Sequence, residues 1–290
     1  MTLETFVLLL AGGLVTGSIY ALVAAGYAVL YTATGFVNFA LGAQAMVAGY
    51  LTYVWFDTLP VMLRIVIALA GSVVLSVLSW VLIYRRVAEK DILAAVIMSF
   101  GFSIVLAEVV QLAAGGIPRP ARSPAGTEAH TLGPLSISSH SVTVLVVSAI
   151  LFTLLGLALS SRGGLAIRAM FQDKEMAETI GIPTNRVTLW LFAVSGIFAA
   201  AAGILAAPIL SLSPHMGTRL ALIAFVGAVL GGLGTIRSAI AGSVLLGLLE
   251  AFFAGYISAD WRATLVFGVF IVVLVAKPTG VLGRVAAVKV

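Results

Sequence analysis

Residues 6–30 read FVLLLAGGLVTGSIYALVAAGYAVL, a run without a single charged side chain. A helix rising 1.5 Å per residue needs about 20 mostly apolar residues to cross the hydrocarbon core of a bilayer. This run meets that length, and Glu4 is the only charge before it. A secretory leader would need a basic leading segment and an apolar stretch of about 7–15 residues. Neither condition holds, so the run reads as a retained first membrane span.

The pattern then recurs along the chain. Apolar segments at 36–56, 61–84, 92–114, 141–160, 187–207, 219–235, 238–257 and 262–276 follow the first. The seventh and ninth of the series are short, and Gly and Pro interrupt several others. One of them therefore reads as re-entrant or broken, leaving eight or nine crossings. Composition agrees: 61% of the residues are hydrophobic and only 9% charged, against roughly 25% charged in a soluble domain. A soluble fold of this length exposes too much surface to hide so much apolar material. The expected fold is an all-α, polytopic membrane protein forming one transmembrane domain over residues 1–290.

The net charge of +5 comes from basic residues scattered over short loops, which read as topology signals rather than a phosphate-binding stripe. No nucleic-acid partner is expected. If Arg85, Arg86 and Lys90 lie in the cytoplasm, alternation through nine spans adds Arg162, Arg168, Lys174, Arg186, Arg237, Lys277, Arg284 and Lys289 to that side. Arg64, Arg119, Arg122, Arg219 and Arg262 remain outside. The basic excess inside predicts an N-out, C-in topology.

Two loops exceed a few residues. The outer one, 115–140, carries Pro118, Pro120, Pro124 and Pro134, and Pro at that density cannot continue a helix. It reads either as a solvated connector or as a segment ordered against an external partner. The cytoplasmic one, 161–186, has neither Pro nor Gly over 165–180 and is rich in strong helix formers. Ile167, Met170, Phe171, Ala177 and Ile180 fall near helical spacing, with Asp173, Lys174, Glu175 and Glu178 on the remaining arc. Gly181 stands where a terminating glycine belongs, Pro183 follows it, and Thr184 is placed to cap the next span. A short amphipathic helix over 165–180 is predicted. It either rests in the headgroups, held by Arg162 and Arg168, or docks into a groove on a cytoplasmic partner.

Glu175-Met176-Ala177, three residues and then Gly181 resemble the EAA-x-x-x-G loop of ABC importer permeases, with Met176 for the second Ala and without the downstream Ile-x-Leu-Pro. Across nearly the whole chain the sequence resembles the branched-chain amino-acid (LivH-like) permease family. The stretches that carry the likeness are GSIYALVAAGYAVLYTATGFVNFALGAQAMVAGY (17–50), RAMFQDKEMAETIGIPTNRV (168–187) and GAVLGGLGTIRSAIAGSVLLGLLEA (227–251). The resemblance implies a multi-pass subunit of the bacterial inner membrane, paired with a second, similar permease, two cytoplasmic ATP-binding subunits and an external solute-binding protein. It implies that the cytoplasmic helix couples to the ATPase, through Met170, Phe171, Asp173, Glu175, Ala177, Gly181, Ile182 and Pro183. Branched-chain amino acids lead the solutes it implies, with urea, short amides and aromatic acids behind. The chain has no Gly-Lys pair and so no phosphate-binding loop. It is expected to bind no cofactor, ATP being used by a partner.

Polar groups inside spans are costly and face cavities or partner helices. Glu108 and Glu250 each read as lining a translocation path or as an acid locking two helices together. Asn38 and Gln44, at the start of the second span, read as helix glue, and the resemblance places them beside the pathway. The family often carries a His and an acid here, where this chain has Leu41 and Ala43, so the identity of the solute stays open. Gly227, Gly231, Gly232 and Gly234 read as a close-packing segment, at an interface with the partner permease among the options.

The chain lacks Cys, which removes any disulfide framework, thiolate nucleophile or zinc–thiolate site. His130, His140 and His215 lack the spacing of a zinc helix, and no Ser/His/Asp set or G-x-S-x-G elbow appears. No catalytic or metal residue is expected. The competing reading is a stand-alone secondary transporter or channel using Glu108 or Glu250 for proton coupling, which leaves the cytoplasmic helix unexplained.

Overall fold

A computed structural model of the chain describes residues 3–282 apart from 89, 127–128, 133–134, 162 and 278. Arg162, Arg284 and Lys289 of the charge balance, and Pro134 of the outer loop, lie outside the described residues. The helices are α1 Leu3–Thr34, α2 Ala40–Tyr50, α3 Val61–Ser79, α4 Arg85–Ala88, α5 Ile92–Ala114, α6 Ser139–Ser160, α7 Gly164–Gln172, α8 Lys174–Thr179, α9 Thr184–Leu210, α10 Met216–Gly231, α11 Ile236–Tyr256 and α12 Arg262–Ala276. Two π-helical segments prolong them: Leu51–Trp55 extends α2, and Trp80–Tyr84 joins α3 to α4. Backbone groups find no water in hydrocarbon, so a continuous helix that satisfies its own N–H and C=O groups is the solution each segment reaches.

Six helical stretches are long and apolar enough to cross a membrane: Glu4–Thr34, Val61–Ala88, Ile92–Ala114, Ser139–Ser160, Thr184–Leu210 and Ile236–Tyr256. α10 and α12 are shorter apolar helices. The second predicted span opens later than its apolar run suggests. Gly35 takes φ +78 and ends α1, and Asn38 Oδ1 accepts the Ala40 N–H at 3.1 Å, so α2 starts at Ala40 rather than Phe36. The seventh shifts the other way, because Gly232 at φ +108 stops α10 one residue after Gly231.

α1, α2, α9, α10 and α11 form the centre, and glycine decides how closely they approach. A Cβ on Gly17 would sit 2.9 Å from Val244 Cα, and one on Gly13 would sit 2.9 Å from Leu248 Cα, which brings α1 and α11 backbone to backbone. Gly203 of α9 meets the Ala45 backbone of α2, and Gly42 of α2 meets Gly217 and Ala221 of α10. Without a hydrophobic force between helices in lipid, such contact and interhelical hydrogen bonds supply the association. Serine adds the bonds between α3 and α9: Ser72 Oγ donates to Gly196 O at 2.8 Å and Ser76 Oγ to Phe192 O at 2.7 Å. The outer helices leave one apolar side open, with Leu112 at 87% and Val275 at 81% exposure, a surface suited to hydrocarbon.

The Pro-rich stretch 115–140 is more ordered than its composition suggests. Strands β1, Ala129–Leu132, and β2, Leu135–Ser138, pair antiparallel, with Ala129 opposite Ser138. Earlier in the loop Arg119 exchanges backbone bonds with Leu212, N–H to O at 2.8 Å and back at 2.9 Å. Ser211, between α9 and this bridge, holds φ +61, a region where a side chain is strained. The start of the Pro-rich loop is therefore fastened to the α9–α10 turn.

Candidate functional site

The loop after α6 forms two helices, where one was predicted over 165–180. Asp173 breaks the run in an extended conformation, φ −161 and ψ 109, and its Oδ1 accepts the Met176 N–H at 3.0 Å. An Asp at this position serves the following helix better as a cap than as an interior residue. The break resets the helical phase. Met170 and Ala177 are buried at 2% exposure, while Met176 and Ile180 are 61% and 67% exposed. Met170 and Ala177, predicted as coupling residues, thus belong to the chain's own core. Phe171 and Ile182 pack partly against that core, and Asp173, Glu175, Gly181 and Pro183 stay exposed. The outward surface is Glu175, Met176, Thr179 and Ile180, of which an unbroken helix would have placed Ile180 on the apolar face with Met170 and Ala177.

The end of α8 follows the sequence closely. Gly181 takes φ +87, its N–H bonds to Glu178 O at 3.0 Å, and the Ile182 N–H reaches Ala177 O at 3.0 Å. These are the paired bonds of a Schellman closure, which leaves the glycine in the left-handed region. Thr184 does not cap α9. It is the first residue of that helix, and its hydroxyl donates to Glu178 Oε1 at 2.7 Å. α8 is thereby tied by a side-chain bond to the amino end of α9.

α9 is the longest element leaving this site and the most enclosed spanning helix, with 72% of its apolar window buried. Its 27 residues extend about 40 Å at 1.5 Å per residue. Gly203 seats it against α2, and its far end leads through Ser211 to the Leu212–Arg119 bridge. One continuous helix, with Pro208 in its last turn, connects the α7–α8 pair to the opposite loop.

The predicted pathway residues separate. Asn38 and Gln44 are fully buried. Asn38 Nδ2 and both polar atoms of Gln44 have no hydrogen-bond partner, an expensive state in a dry core. Tyr27, also enclosed, donates to Ala221 O at 3.2 Å and links α1 to α10. Glu108 takes no part in this interior. It is exposed on α5 among Ile104, Val105, Val109 and Leu112, so it faces away from the chain's core and locks no helix pair within it. Glu250 is 4% exposed, and its Oε1 lies 3.6 Å from Arg262 Nε, an ion pair from α11 to α12. Tyr20 and Arg219 stand close enough to act on it electrostatically. It forms an ion pair that ties the carboxyl-terminal end of α11 to the first residue of α12.

The glycine segment splits as well. Gly227 and Gly231 meet Ser243, Ser238 and Gly242, so they pack α10 on α11 within this chain rather than against a partner. Gly232 serves as the positive-φ end of α10, and a Cβ on Gly234 would touch nothing within 4 Å. Gly234 is not a packing residue. Among the described residues no group of three His, Asp or Glu is placed to hold a metal.

A family model described as the branched-chain amino acid transport system permease component matches residues 9–274. The chain is 33% identical over 296 residues to the high-affinity branched-chain amino acid transport system permease protein LivH of Escherichia coli (strain K12), covering 96% of both chains. It is 32% identical over 300 residues to the permease protein BraD of Pseudomonas aeruginosa, covering 97% of both. To the probable LivH permease of Methanocaldococcus jannaschii the identity is 25%, over 95% of this chain and 92% of the relative. No solved structure matches the chain.

Proposed function

The chain belongs to the branched-chain amino acid transport permease family, and on that premise we propose that α7 and α8 receive the movement of a separate ATPase and α9 carries it across the membrane. The protein is the multi-pass inner-membrane permease of a branched-chain amino acid transport system. Such a permease works with ATP-binding and solute-binding partners. We assign two ATP-binding subunits to the α7–α8 side, a second similar permease beside this one, and an external solute-binding protein at the opposite face. The topology is N-out and C-in with eight or nine crossings.

The observation that carries this reading is the exposed, Schellman-closed α8 bonded through Glu178 to the first residue of α9. A partner pressing on Glu175, Met176 and Ile180 displaces α8, and the Glu178–Thr184 bond with the short Gly181–Pro183 turn passes that displacement to α9. α9 moves against α2, which carries Gln44 and follows directly on Asn38, and pulls on the Leu212–Arg119 bridge to the outer loop. Unpaired amides in the interior suit a path that is dry when closed and wet when open. Glu250 stays with Arg262 throughout, and Glu108 faces the second permease.

The test is uptake by vesicles reconstituted with all four kinds of subunit, using labelled leucine, isoleucine and valine with urea and short amides as comparison solutes. Uptake is expected only with ATP inside and binding protein outside, and it stops when the ATPase is omitted. Uptake without ATPase, driven by a proton gradient, would instead establish the stand-alone transporter.

A further inference from the structure

At the end of the bundle that carries α7, a crevice of about 420 Å³ opens between α6 and the start of α11. Its walls are apolar, with Phe152, Leu155 and Leu159 on one side and Ile236, Ile240 and Ala241 on the other. Its mouth is basic, because Arg168 and Arg237 both line it and no carboxylate does. Arg168 is fixed there by its Nη1, which donates to Leu159 O at 2.6 Å. Among the described residues neither arginine forms an ion pair with a carboxylate. The mouth also receives the amino end of α11, a helix of 21 residues beginning at Ile236, whose first-turn N–H groups favour an anion.

A slot with an apolar depth and two unpaired guanidinium groups at its rim fits an amphiphile with an anionic head. We propose that this crevice binds an anionic phospholipid, one acyl chain lying between α6 and α11 and the phosphate held by Arg168 and Arg237. The two arginines attract the net negative head of an anionic phospholipid and repel the choline cation that offsets the phosphate of a zwitterionic one, and the apolar walls are complementary to a chain that soluble phosphate esters lack. The site adjoins α7, so its occupant braces the same helix pair that the proposed ATPase contact displaces. The lipid assignment itself rests only on the crevice and holds whichever partner moves α7.

Native mass spectrometry of the full chain, released from bilayers containing equal amounts of phosphatidylglycerol and phosphatidylcholine, reads the occupancy directly. Phosphatidylglycerol is expected to be retained over phosphatidylcholine. Arg168→Gln and Arg237→Gln are each expected to lower its retention about 5-fold, the value of about 1 kcal/mol per basic residue near a membrane surface. Gly156 lines the same crevice, and a Cβ there meets nothing within 4 Å. Gly156→Phe therefore fills the slot without disturbing the helices and is expected to expel the lipid with both arginines intact. Equal retention of the two lipids, or unchanged retention in the double arginine variant, overturns the proposal. So does glycerol phosphate binding that survives Gly156→Phe, since the ligand is then a soluble phosphate ester. Loss of the lipid when the partner subunits are added back overturns it too, because a protein then covers the crevice.

Discussion

Gly203 and Gly181 are the same residue used for two different reasons. Gly203 sits in the middle of α9 and is needed for what it lacks: any Cβ would run into the Ala45 backbone of α2. Gly181 sits in the open after α8, where a Cβ would meet nothing within 4 Å, and is needed for its φ of +87. The first is a demand of packing between two distant segments. The second is a demand of local conformation that a few neighbouring residues define. The bundle therefore tolerates no enlargement at its seams, whereas the turn at Gly181 can change without a steric clash elsewhere.

The largest effect belongs to the seam. Gly203→Ala drives a methyl group into the Ala45 backbone and should cost more than the about 1–3 kcal/mol typical of overpacking, and thermal unfolding in detergent reads the loss. A variant as stable as the parent would show that α2 and α9 are not in contact. Next comes Gly181→Pro, which fixes φ near −65° and removes the N–H that closes α8. It should insert and unfold like the parent yet lose most transport-coupled ATP hydrolysis, as should Glu175→Arg on the exposed face of α8. Comparable loss of stability in Gly181→Pro and Gly203→Ala would erase the distinction between the two glycines. Asp173→Ala removes the cap of α8, a change of about 0.5–2 kcal/mol, visible as faster hydrogen exchange over 174–177 with α9 unaffected. The smallest effect is Gly234→Ala, expected within about 0.5 kcal/mol of the parent because its Cβ has no neighbour.

The same contrast governs what was legible in the sequence. Membrane embedding and the approximate spans followed from apolar run length, since lipid imposes that requirement on each segment separately. The stop at Gly181-Ile182-Pro183 was equally readable, because a Schellman closure is written in consecutive residues. Asp173 is a capping residue written in the sequence; taken as helix interior, it merges two helices into one and puts Ile180 on the same face as Met170 and Ala177, which the structure separates. The pairing of Glu250 with Arg262 depends on how α11 and α12 lie side by side, which no local pattern encodes. The seam partners of Gly203 and Gly17 are distant in the chain for the same reason. The β1–β2 hairpin had only the four alternating residues Leu135-Ser136-Ile137-Ser138 to announce it, too short a run beside the prolines of this loop.

On the proposed reading the outward face of α8 touches an ATPase. The chain contains no native Cys, so single cysteines report unambiguously. Cross-linking to the ATP-binding subunit in the assembled transporter is expected from Ile180→Cys and Met176→Cys, and not from the inward-facing Ala177→Cys. Efficient cross-linking from position 177 with none from 176 or 180, or none from any position on α8, would contradict the account.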